Sequence, residues 1–115
     1  MRYDDLDSLL PLPAATFHIL VALSDADRHG YGIMQEVAQR TGGRTKLNPG
    51  TLYTTIQRLL EKGLISELRE RDEDDERRRY YRLTPPGRRL AQLELARLTE
   101  LVALGRRAGL AREKG

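Results

Sequence analysis

NPGTLYTTIQRLLEKGLI, Asn48 to Ile65, reads as a helix with both ends marked and two unlike faces. Asn48 is a favoured N-cap, because its side-chain oxygen can accept from an orphan backbone N–H of the first turn. Pro49 follows at the first helical position, where its missing N–H costs nothing. Leu52, Ile56, Leu59 and Leu60 recur at the helical period and predict the buried stripe. Gly63 suits the left-handed residue that ends many helices, and Leu64 and Ile65 then return to the interior. Off that stripe, Thr51, Tyr53, Thr54, Gln57 and Arg58 offer hydroxyls, an amide and a guanidinium, with no acid until Glu61. A surface helix usually mixes both charges, so this acid-free front needs a reason.

The neighbouring segments supply its context. PAATFHILVAL begins at Pro13 and is apolar nearly all round, which predicts a buried helix with Phe17, Leu20, Val21 and Leu23 in the core. SDADRHG breaks that pattern with turn residues. YGIMQEVAQR carries Ile33, Met34, Val37 and Ala38 as the stripe of a half-buried helix, stopped by Gly42 and Gly43. ISELRERDEDDERRRYYRLT has β-formers at both ends and an acidic centre, Asp72 to Glu76, and predicts a hairpin with an exposed tip. In its second strand Tyr81 and Leu83 share one side, Tyr80 and Arg82 the other. Thr84 and Pro85 or Pro86 start a last helix with Leu90, Leu93, Leu98, Leu101, Val102 and Leu104 along it. The order helix, helix, helix, strand, strand, helix predicts a mainly α chain with a small β-hairpin, a winged helix-turn-helix plus a C-terminal helix. The divisions expected are an extension at 1–12, the winged domain at 13–84, the leucine-rich helix at 85–110 and a frayed tail at 111–115.

In a helix-turn-helix the second helix enters the DNA major groove with its N-terminal residues leading. Pro49, Gly50 and Thr51 make a slim leading end, and the helix N-terminus favours phosphate there. Thr51, Thr54, Gln57 and Arg58 can bond base edges or phosphates, and Tyr53 can stack or offer its hydroxyl. Lys62 follows on the same helix, whereas Glu61 is expected to lie a turn behind the groove. The plainer alternative makes Tyr53 a partly buried core aromatic. Arg77, Arg78 and Arg79 stand where a wing reaches phosphates or a minor groove. The acidic tip opposes that contact, so either it points away or it pairs with the arginines.

Composition narrows the function classes. At 115 residues one modest core is expected. The absence of cysteine removes thiolate catalysis and cysteine-based metal sites. His18 lies in the apolar first helix and reads as a core residue, and His29, at a turn, as a cap or a hydrogen-bonding residue. No nucleophilic or metal constellation assembles around them, so neither an enzyme, a metal nor a cofactor is expected. No apolar run approaches the roughly 18 residues that span a bilayer, and the acidic start MRYDDLDSLLPLP does not resemble a secretory signal. A cytoplasmic protein without a membrane partner is expected. The net charge of +3 is carried more by arginine than lysine, and arginine suits bidentate phosphate and guanine contacts.

HGYGIMQEV (His29 to Val37), PGTLYTTIQRLLEKGLI (Pro49 to Ile65) and RRRYYRLTPPGRR (Arg77 to Arg89) together resemble the signature segments of the PadR family of transcriptional regulators. They come in the family's order and spacing, from Pro13 to about Leu104. The resemblance implies a winged helix-turn-helix homodimer that usually represses from a pseudo-palindromic operator. It puts Thr51, Tyr53, Thr54 and Arg58 at double-stranded DNA, and Tyr31 at the phosphate backbone or packed in the motif's turn. It makes the last helix the dimerisation element, as in the short subclass with one such helix. It leaves open whether a small-molecule effector exists. The segment before Pro13, with Leu6, Leu9, Leu10 and Leu12, is either a frayed tail or packed on the partner's last helix. The competing reading is a winged-helix module that binds protein without DNA, since fold does not fix function. Such a module is expected to expose apolar residues on the front of the 49–62 helix.

Overall fold

The computed structural model describes residues 3–71 and 77–111. The acidic tip at 72–76, the side chain of Arg77 and the tail from 112 onwards lie outside the described residues. An N-terminal 3-10 helix, Tyr3–Leu9, leads into α1 (Ala14–Ala22), β1 (Arg28–His29), α2 (Gly30–Arg40), α3 (Pro49–Glu61), β2 (Ile65–Arg71), β3 (Arg77–Leu83) and α4 (Pro85–Arg107). The arrangement is a winged helix: helices packed beside a small antiparallel sheet ordered β1-β3-β2.

α3 forms as its sequence dictates. Asn48 Oδ1 accepts from the Thr51 N–H at 2.8 Å, and Pro49 opens the helix. Leu52, Ile56 and Leu59 are buried, with Leu60 half-buried beside them. Gly63, at φ 71°, closes the end: its N–H donates to Leu60 O, and the Leu64 N–H reaches back to Leu59 O at 2.9 Å. α2 contributes buried Ile33 and Val37. In α1 the expectation needs correcting. Pro13 is the N-cap rather than the first helical residue, and Ile19 and Ala22 join Leu20 and Leu23 in the core. Phe17 and Val21 are only half-buried, lining a cleft with Leu83, Ala91 and Leu95 towards α4.

The sheet has three strands where a hairpin was expected. Arg28 pairs with Tyr81 and His29 with Tyr80. Two residues carry no readable period, so only tertiary pairing makes β1 a strand. The turn before it is fastened by an ionic cluster. Arg28 Nε donates to Ala22 O at 2.8 Å, and Arg40 bonds Asp25 at 3.0 Å and Glu36 at 2.6 Å. Burial pushes the Asp25 carboxyl up, but hydrogen bonds from Arg40 and Arg28 outweigh it and hold it below its ordinary value. Across the sheet Arg82 grips Asp27 with both carboxylate oxygens in reach, the shortest contact being 2.7 Å. Tyr81 is buried, and that burial, with Glu67 opposite, raises its phenol above the usual range.

The N-terminal segment is built into this chain's own core. Leu6 is fully buried at 0% exposure, worth about 2 kcal/mol for a leucine. Its 3-10 helix packs on α4. Glu94 of α4 is 2% exposed and accepts from the Leu12 N–H at 3.0 Å and from Arg97 Nε at 2.5 Å. The Arg97 hydrogen bond, helped by Leu12 against the cost of burial, holds the Glu94 carboxyl below its ordinary 4.5. A carboxyl depressed in the fold stabilises above its unfolded pKa, and that stability is lost as pH falls through the folded value. Glu94→Ala is therefore expected to lower stability by about 2 kcal/mol at neutral pH. Thermal melts should show the gap from wild type narrowing below pH 4.5; a gap independent of pH would count against the charged hydrogen bonds.

Candidate nucleic-acid interface

Each residue along a helix advances about 100°, so the non-core residues of α3 divide into a front and two flanks. Gly50, Thr54 and Gln57 form the front, and all are exposed. Glu61, seven residues after Thr54, returns to nearly the same direction. It is therefore not clear of this face as expected: the Gln57 amide donates to Glu61 Oε1 at 3.3 Å, leaving an acid at the rear of the front. The leading half, from Pro49 to Arg58, carries none.

Tyr53 occupies the flank that faces the sheet. It is 51% exposed, which removes the alternative of a core aromatic. A cleft of about 330 Å³ is lined by His29, Gly30, Tyr31, Tyr53, Arg78, Arg79 and Tyr81. All three signature segments thus meet at one place: the start of α2, one flank of α3, and β3. Tyr31 stands 57% exposed beside it. Local geometry fixes the lining. His29 caps α2 by accepting the Gly32 N–H on Nδ1 at 2.9 Å, so this nitrogen is unprotonated. Its ring meets Tyr80 edge-on, with centroids 5.3 Å apart, and its Nε2 lies 3.4 Å from Arg78. His29 is the cap that its position at a turn implied, whereas His18 is half-buried rather than a core residue.

Gly30 shapes this cleft from behind. A Cβ there would stand 2.9 Å from Tyr53 Cζ and closer still to its hydroxyl. Because the obstacle is the free end of a side chain, Gly30→Ala is expected to displace the Tyr53 ring while costing under about 1 kcal/mol of stability. Duplex affinity should fall by about 1 kcal/mol; an unchanged melt with unchanged binding would remove Tyr53 from the interface.

Thr51, Arg58 and Lys62 occupy the opposite flank. They line a second groove with Leu12, Pro13, Ala15 and Thr16 at the start of α1. The expected contact residues therefore lie on both sides of α3 rather than on one front. In the wing, Arg78 and Arg79 point to opposite faces of the strand, and the backbone of Arg77 pairs with Arg71. Arg69 was not singled out from the sequence, yet it pairs directly with Arg79, and both are exposed. Like charges opposite one another weaken a hairpin unless an anion lies over them. Alternation along each strand was readable, but the register that opposes these two arginines was not.

On α4 the leucines separate by depth. Leu90, at 1% exposure, and Leu93 pack in this chain's own core, so Leu90 has no surface to give a partner. Leu101, Val102 and Leu104 are exposed, as is Leu95, which was not among the residues expected there. Ala91, Leu95, Leu98 and Val102 repeat at intervals of four, three and four, which sets them along one face of α4.

Among the described residues no group of His, Asp and Glu is arranged to hold a metal ion, and no helix is long and apolar enough to cross a membrane. The fold and the converging polar face define a winged-helix protein of the helix-turn-helix kind. The chain matches the Transcriptional regulator PadR-like family over residues 19–93, and it belongs to that family. It is 42% identical over 89 residues to Transcriptional regulator Rv3488 of Mycobacterium tuberculosis, spanning 76% of this chain and 78% of that one. A transcriptional regulator from Clostridium thermocellum superposes with a TM-score of 0.64 at 28% identity, over 87% of this chain and 94% of that one. Bacillus subtilis PadR, in complex with operator DNA, shares the fold with a TM-score of 0.65 at 20% identity, over 74% of this chain and 48% of that one.

Proposed function

We propose that this PadR-family regulator is a cytoplasmic repressor that binds a pseudo-palindromic operator as a homodimer. The observation that carries the reading is the meeting of Tyr31, Tyr53, Arg78 and Arg79 at one cleft beside the acid-free leading half of α3. Thr54 and Gln57 read base edges in the major groove, with Pro49 and Gly50 entering first. Thr51, Arg58 and Lys62 hold phosphates on one side; Tyr31, Arg77, Arg78 and Arg79 hold them on the other, joined by Arg69. The operator complex of Bacillus subtilis PadR supports DNA as the partner. A protein-binding module would expose apolar side chains on the front of α3, and this front is polar.

Leu95, Leu98, Leu101, Val102 and Leu104 form the dimer surface, while Leu90 and Leu93 hold α4 to its own domain. The two copies of α3 then sit about 34 Å apart, one turn of DNA. The test is a titration of the protein against its own upstream region at two salt concentrations. Affinity should fall steeply with salt, with a slope near −0.9 per phosphate neutralised. Arg58→Ala should weaken binding by about 1–3 kcal/mol and reduce that slope by about 1, the protein remaining folded and dimeric. Salt-independent affinity, or none for any duplex, would overturn the proposal.

A further inference from the structure

We infer that Glu61 is a positioning residue for base recognition: it fixes the Gln57 amide so that α3 selects adenine over guanine at one base pair. The inference rests on the DNA reading above and names what that surface reads. Glu61 shares the helical phase of Thr54, so its charge opposes any phosphate backbone that the front of α3 approaches. An acid is out of place there. Among the described residues it joins no ion pair, although Arg58 lies one turn before it and Lys62 next to it. Its one hydrogen-bond donor among those residues is the Gln57 amide, Nε2 to Oε1 at 3.3 Å.

A carboxylate only accepts, so the atom of Gln57 turned toward Glu61 must be the amide nitrogen. That settles which way round the amide lies. Its oxygen and its second N–H are left for a ligand, an acceptor and a donor in one plane. Adenine presents the matching pair in the major groove, the N6 donor beside the N7 acceptor. Guanine presents two acceptors, O6 and N7, and its O6 would meet the amide oxygen with no hydrogen between them. Without Glu61 the amide can turn over and offer its N–H groups to guanine. No other residue of the front discriminates in this way. Gly50 has no side chain, and the rotating hydroxyl of Thr54 donates or accepts as the base requires. Glu61 thus weakens binding to every sequence while sharpening the choice among them.

The first experiment needs no DNA. Glu61→Ala in the full chain should move the side-chain amide signals of Gln57 and leave those of Gln35, Gln39 and Gln92 in place. Unmoved Gln57 signals overturn the contact. The second experiment selects duplexes from a pool with a randomised segment. Wild type is expected to enrich a half-site in which one A·T pair loses its preference in Gln57→Ala. At that pair the preference for A over G should fall about tenfold in Glu61→Ala, with the remaining positions keeping theirs. Glu61→Asp keeps an acceptor four residues beyond Gln57 and should retain most of the preference. Glu61→Ala should also bind the unselected pool more tightly, because a negative charge has left the surface. Full adenine preference in Glu61→Ala reduces the pair to a helix-stabilising contact and overturns the inference. A G·C pair dependent on Gln57, or no pair dependent on it, does the same. A wild type that binds no duplex overturns the DNA reading and the base selection with it, while the contact between Gln57 and Glu61 stands or falls on the DNA-free signals.

Discussion

Gly87→Ala is expected to melt at least about 10 °C below wild type, the equivalent of roughly 3 kcal/mol in a domain of this size. Gly87 sits in the first turn of α4, where that helix crosses the exit from α3. A Cβ there would stand 2.9 Å from Leu83 Cδ1 and 3.0 Å from the Leu64 carbonyl carbon, and nearer still to the Leu64 carbonyl oxygen. The obstacle is backbone, and it is held from several directions. The Leu64 oxygen accepts from the Thr84 N–H at 3.2 Å, and the Thr84 hydroxyl donates to Gly63 O at 2.7 Å while accepting from the Gly87 N–H at 3.2 Å. Relief of the clash requires α4 to lift away, which uncovers Leu90 and Glu94. Gly105→Ala is the control, since nothing lies within 4 Å of a Cβ there. It should hold or gain up to about 1 kcal/mol from helix propensity. A Gly87→Ala melt equal to wild type would refute the close crossing.

That contrast marks where sequence reading stopped. α3 was legible because its information is local: a cap, a proline, a period and a terminal glycine fall within Asn48 to Ile65. The same holds for the N-cap roles of His29 and Thr84, since His29 caps α2 and Thr84 caps α4. Gly87 reads in TPPGRR as one residue of a helix start, and its need for a bare Cα arises only from Leu64. Leu6 and Leu12 read as part of a tail or a partner contact, because the carboxylate that receives the Leu12 N–H lies 82 residues away. β1 is equally non-local, existing only as a partner of Tyr80 and Tyr81. By contrast, the split of α3 into two flanks was available from helical phase, as was Glu61 beneath Gln57. The acid-free run drew attention to the leading end and away from the rear turn. On α4, periodicity identified an apolar helix but could not apportion it. The burial of Leu90 and the exposure of Leu95 depend on where α4 leaves the domain.

Replacing Leu101 and Val102 together by glutamate is expected to give a folded monomer and to lower operator affinity by on the order of 100-fold. Both side chains are about half exposed, at 49% and 54%, and neither belongs to the core. The domain's melting behaviour as a monomer should therefore survive the change. From Leu95 to Arg107, α4 runs about 20 Å, carrying exposed apolar residues along its length. Two glutamates on each copy would place four carboxylates in and beside the proposed seam otherwise lined by Ala91, Leu95 and Leu98. Like charges at such a seam oppose association directly. The effect on DNA follows from linkage of half-sites. In a dimer the second α3 binds at the effective concentration set by the first, an advantage of about 10²–10⁴ that a monomer forfeits. A duplex holding one half-site should bind the variant and wild type alike, because Thr54, Gln57 and Arg58 are untouched. Sedimentation and full-operator titration check the pair of expectations. A variant that remains dimeric moves the interface off this stripe, and a monomer with full operator affinity removes the need for two half-sites.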